Sequence, residues 1–130
     1  AARFISAEVT RGALTARNEA AQVAALETVK AMVDRLNRGA PRMVSPNLRF
    51  EYATAGPGIR IDYVHTIVSL RYDELGPIPE FMSDVRRESI KFACSAQSAI
   101  SSGDMVVGYL YRTRDGRELP RFEITGRDCR

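Results

Sequence analysis

Asp115-Gly116 sits between two runs of alternating apolar and polar residues, Met105 to Arg114 and Arg117 to Thr125. Few patterns restrict a short segment more. Asp-Gly between such runs marks a hairpin, because a type I′ turn needs positive φ at two successive residues. The reading is a hairpin over 105–125 in which Arg114 pairs with Arg117, Tyr109 faces Phe122 and Val107 faces Ile124. Those last four residues share one face, while Arg112, Arg121 and Glu123 fall on the other. Pro120 lacks an N–H, so the last strand is either an edge strand or is interrupted there.

The rest of the chain is organised around that hairpin. From 14 to 38 there is neither Pro nor Gly, alanine is dense, and Leu26, Val29, Val33 and Leu36 repeat at helical spacing. Gly39 and Pro41 give the stop signal. Gly12 weakens continuity further upstream, and Thr10 is a candidate cap. Ala20, Ala21, Ala24, Ala25 and Ala31 suit close packing on the chain's own sheet or on a second copy, so both a monomer and a homodimer stay open. Over 47–72 the pattern predicts a second hairpin. Leu48, Phe50 and Tyr52 alternate with Asn47, Arg49 and Glu51, and the turn is Ala55-Gly56-Pro57-Gly58. Facing changes in its second strand, from Ile59, Ile61 and Tyr63 to Val64, Val68, Leu70 and Tyr72. A bulge near Tyr63–His65, or cover on both faces, accounts for the change. A second helix is predicted over 80–98, with Phe81, Val85, Glu88 and Phe92 along one side, Arg86, Arg87 and Lys91 outward, and Ser101-Ser102-Gly103-Asp104 beyond its end. The order helix, two strands, helix, two strands is that of one α+β domain over 1–130, with a mainly antiparallel sheet and helices on one face. A permuted ferredoxin-like arrangement has the same element order.

Two cysteines, Cys94 and Cys129, stand far apart with no Cys-x-x-Cys and no Cys/His cluster. They suit one disulfide, and a disulfide implies an oxidising compartment. The start Ala1-Ala2-Arg3 fits the end left by cleavage at a small-residue signal site. The expected location is therefore periplasmic or extracellular, against the alternative of two buried thiols in a cytosolic protein. No apolar run approaches the ~20 residues a membrane helix needs.

Composition restricts the chemistry. Net charge is only +3, and acids are interspersed among the basic residues, nearly all of them arginine. That argues against nucleic acid, which needs a clustered patch. His65 is the only histidine, which excludes a multi-histidine metal site. No motif assigns a catalytic residue, a metal or a cofactor. Cys94 with His65 would imitate a cysteine hydrolase, but a disulfide accounts for both cysteines at once. The tyrosines fall in strands, where half-burial in a sheet is their ordinary role. His65, Tyr63, Tyr109 and Tyr111 are the candidates for lining a pocket. The expected function is non-enzymatic binding or assembly with another protein, as in an envelope complex. A small-ligand or enzymatic domain is the alternative. A cavity with His65 at its wall would favour the alternative; a filled core with an exposed apolar stripe would favour binding.

Overall fold

The protein is described by a computed structural model covering residues 2–96 and 105–129. Helix α1 (Ala2–Arg38) is followed by strands β1 (Arg42–Ser45), β2 (Leu48–Ala55) and β3 (Arg60–Ile67), helix α2 (Ile78–Ala96), and strands β4 (Val106–Arg112) and β5 (Phe122–Ile124). Short 3₁₀ turns occupy Tyr72–Glu74 and Gly126–Cys129. The five strands lie in sequential order, β1-β2-β3-β4-β5. This is an α+β fold with the expected element order, but not the interleaved strand order of a ferredoxin-like arrangement. All neighbours are antiparallel except β3 and β4, which α2 joins as a crossover. Gln97, Ser98 and the segment Ser101-Ser102-Gly103-Asp104 lie outside the described residues.

Helix α1 starts well before residue 14 and runs straight through Thr10 and Gly12. Val29 and Val33 are buried, with Leu26, Met32 and Leu36 half-buried beside them. Ala20, Ala21, Ala24 and Ala31 are exposed, so they do not pack on the sheet. Past the end of β1, the Asn37 amide donates to Ala53 O (2.8 Å) and accepts from Ala53 N (2.7 Å). One side chain thus pairs both backbone groups of a strand residue and ties α1 to β2.

Strand β1 was not anticipated. It is short, exposed at all four residues, and turns through Pro46-Asn47 into β2. The bulge lies at the expected height but on β2: Phe50 pairs with His65 and Tyr52 with Val64, leaving Glu51 as the extra residue. One extra residue inverts facing. Phe50 and Ala53 therefore point inward, while Tyr52, expected beside Phe50, is 40% exposed. Strand β3 keeps its parity, with Ile61, Tyr63, His65 and Ile67 all buried. Val64 is buried on the opposite face, so cover on both faces explains the apolar pattern.

The terminal hairpin keeps the expected pairs Tyr109 with Phe122 and Val107 with Ile124. Its tip differs. Thr113 N donates to Arg117 O (2.9 Å), so the loop holds three residues and Arg114 does not pair with Arg117. Gly116 alone has positive φ (81°), the pattern of a type I turn followed by a left-handed residue. The pairing Arg112–Glu118 is offset by one from the base of the hairpin, and the offset is absorbed at Pro120-Arg121, where the ladder is interrupted. Two departures from the two-residue loop cancel, which is why the register at the base still agrees.

Cys94 and Cys129 form a disulfide with Cα atoms 5.4 Å apart, inside the usual range of about 4.4–6.8 Å. It fastens α2 to the chain end just beyond β5. Arg86 adds to that junction rather than pointing outward. It donates to Glu123 O (2.8 Å) and Asp128 (3.0 Å), and its guanidinium lies over the Phe122 ring at 5.8 Å.

Candidate binding groove

The two helices cover the same face of the sheet without closing over it. Helix α1 packs on β2, and α2 packs toward β5 and the turn after it. Those strands are three spacings apart, about 14 Å. Helices in direct contact sit only about 8–10 Å apart. The difference leaves a groove over β3 and β4 of about 540 Å³. It is wide enough for a row of side chains and too narrow for another backbone to reach the sheet.

Register builds the groove floor. Tyr63 lies opposite Tyr109 and His65 opposite Tyr111 across the parallel pair, Phe50 opposite His65, and Tyr109 opposite Phe122. Two ranks of rings result. In one, Tyr63, Tyr109 and Phe122 stack at 5.5 and 5.3 Å. In the other, Phe50 meets His65 edge-on at 5.6 Å, and His65 stacks on Tyr111 at 5.3 Å. The structure brings Tyr63, His65, Tyr109 and Tyr111 together on this floor, with Phe50 beside them.

The floor is uncharged. Burial pushes the His65 pKa down to about 4, with Glu51 pulling weakly the other way. Burial pushes the Tyr109 and Tyr111 hydroxyls up, in Tyr111 partly offset by a hydrogen bond with Ser89 at 3.2 Å. His65 Nδ1 is buried and has no hydrogen-bond partner among the described residues. Cys94 is held in the disulfide, which removes the cysteine–histidine pair weighed from sequence.

The groove walls escaped the sequence reading. The buried side of α2 carries Val85, Ser89 and Ala93, one position round from the expected Val85, Glu88 and Phe92. Phe92 is thereby left 63% exposed at the rim, facing Val44 (48% exposed) on β1. A polar residue at the centre of an apolar stripe, Ser89, was the available signal. Arg35 of α1 and Arg42 of β1 line the wall opposite α2. The Arg42 guanidinium lies 5.2 Å over the Phe50 ring. Nothing in sequence spacing brings an exposed strand arginine to a helix wall. Among the described residues no group of three or more His, Cys, Asp or Glu side chains could hold a metal, and no helix is long and apolar enough to cross a membrane.

No protein-family model matches the chain, and no curated protein matches it by sequence. Solved structures do share its fold. A pilotin of the Vibrio vulnificus type 2 secretion system superposes with a TM-score of 0.67 at 13% identity, over 84% of this chain and 94% of that one. The type II secretion system pilotin of Vibrio cholerae gives 0.63 at 15% identity, over 83% and 94%. A Pseudomonas aeruginosa protein assigned as secreted gives 0.65 at 11% identity, over 84% and 96%. This chain therefore has the fold of two secretion-system pilotins and of a protein assigned as secreted.

Proposed function

We propose that this chain is an exported, non-enzymatic accessory domain that holds a segment of a partner protein in the groove between α1 and α2. The observation that carries the reading is the exposed apolar rim. Phe92 and Val44 stand above an already apolar cavity, where large side chains bear a hydration cost that a partner would remove. A helix laid along the rim, with apolar side chains directed down, covers both walls and matches the width of the gap. The pilotin fold supports assembly work in an envelope complex, and the disulfide supports an oxidising, exported location.

A cavity of about 540 Å³ with His65 in its floor also suits a small apolar ligand, since such sites run to roughly 300–1,000 Å³. A ligand of that size would fill the floor and leave Phe92 in water, so the rim favours a protein segment. The test is site-specific photo-crosslinking in the producing cell. A crosslinker in place of Phe92 or Val44 is expected to trap one discrete protein adduct, and one in place of the remote, exposed Glu74 none. Equal labelling at all three positions, or none at the rim, would overturn the reading.

A further inference from the structure

The groove's polar groups are unevenly placed, and that asymmetry describes the occupant. Arg35 and Arg42 stand on one wall, and neither has a carboxylate partner among the described residues. Seven other described basic side chains have such partners, and Lys30, Arg38, Arg114, Arg117, Arg121 and Arg127 likewise have none. Arg42 is also held in place: its guanidinium lies over Phe50, and Nη1 is 3.1 Å from where a Cβ on Gly39 would stand, at the end of α1. The facing wall carries Glu88, which already has Lys91 at 3.3 Å. Between the walls lies the floor of rings, in which His65 Nδ1 is sealed from solvent and so offers an occupant no hydrogen bond.

From these observations we infer that the groove takes an acidic amphipathic segment, whose carboxylates meet Arg35 and Arg42 on the α1/β1 wall and whose apolar side lies on the ring floor. This rests on the reading of the groove as a partner-binding site. It adds the partner's charge and its orientation in the groove. The apolar floor alone would accept any greasy helix. Unpaired arginines on one wall favour acids there and oppose a basic segment, so charge supplies the selection.

The experiment pans a displayed library of random 15-residue peptides on the intact, oxidised chain, then repeats the panning on R35Q/R42Q and on Phe92→Asp, with thermal melts to establish that each variant is folded. Peptides selected on the natural chain should be net acidic with helically spaced apolar residues. They should lose about tenfold in affinity on R35Q/R42Q and be displaced by raised salt. Selected peptides without acidic bias, or with a bias that persists on R35Q/R42Q, would overturn the charge assignment while leaving the groove reading intact. No enrichment, or enrichment that Phe92→Asp leaves unchanged, overturns the groove reading together with this one.

Discussion

The two faces of the sheet carry cavities of almost equal size and opposite chemistry. The helix-side groove holds about 540 Å³ and the outer depression about 560 Å³. On the outer face Arg60 grips Asp62 with two 2.8 Å hydrogen bonds and also bonds Glu123, so strand neighbours satisfy one another. Those bonds, Asp62's first, hold Arg60 further above its ordinary pKa. On the inner face the floor is neutral rings, one nitrogen has no partner, and two arginines on the wall have no acid. Volume alone therefore does not mark a site. What separates the faces is that the outer depression centres on the Arg60–Asp62–Glu123 cluster, whereas the groove centres on neutral rings.

If the inner face is both core and groove floor, its rings should dominate stability. Phe50→Ala should cost about 3–5 kcal/mol in urea unfolding, because Phe50 is 1% exposed between β3 and α1. Tyr52→Ala, two residues on but turned outward by the Glu51 bulge, should cost under about 1 kcal/mol. Strict alternation would make the two losses similar, so equal costs would break the assignment of faces.

The groove's α2 wall depends on a distant staple, whereas the outer cluster is local. Breaking Cys94–Cys129, which closes a loop with sequence separation 35, should cost about 3–4 kcal/mol by the chain-entropy model. Urea midpoints for Cys94→Ser/Cys129→Ser against the oxidised chain measure it. A loss below about 1 kcal/mol would mean that α2 is held by packing alone.

The third effect is electrostatic and belongs to the inner face. Folded His65 takes up a proton only near pH 4, whereas the unfolded chain takes it near 6.5. As pH falls through that window the unfolded state binds more protons, so stability declines and then levels off below about 4. The loss from this group is on the order of 3 kcal/mol. Urea midpoints between pH 7 and 4 should fall in the natural chain and fall less in His65→Phe. Identical slopes would remove buried, neutral His65 from the description of the floor.

Much of the fold was legible because local patterns and tertiary structure agreed. The alanine-rich helix, the Gly56-Pro57-Gly58 turn and the pairing of Tyr109 with Phe122 all follow from spacing and turn chemistry. The rest was hidden where one residue changes the answer. Glu51 looks like an ordinary outward strand residue, yet as a bulge it turns Tyr52 out and Ala53 in. Ser89 displaces the α2 stripe by one position, and only then does Phe92 become a rim residue. Of the groove, His65 and the three tyrosines stood out as a sequence cluster. The walls did not, because Arg35, Arg42, Val44 and Phe92 meet only through the splay of two helices over a parallel strand pair.

The smallest expected effect tests how tightly the outer face is closed. Gly108 sits on β4 opposite Asp62, and a Cβ there would lie 1.9 Å from Asp62 Oδ1 and 2.7 Å from Arg60 Nη2. The glycine is needed for this close approach and not for its backbone angles, since its φ is not positive. Gly108→Ala must push the carboxylate out of its two-bond grip on Arg60, at about 1–3 kcal/mol. Because side-chain ends give way more easily than backbone, the lower half of that range is expected. The decisive form is a double-mutant cycle. In an Asp62→Ala background the obstruction is gone, so Gly108→Ala should become nearly neutral, leaving a coupling of about 1 kcal/mol or more between two residues on adjacent strands. The Phe50→Ala loss should be the same in either background, because Phe50 lies on the other face. A Gly108→Ala cost that persists without Asp62 would show that the backbone itself, not the ion cluster, demands glycine. The two faces would then be less independent than their chemistry implies.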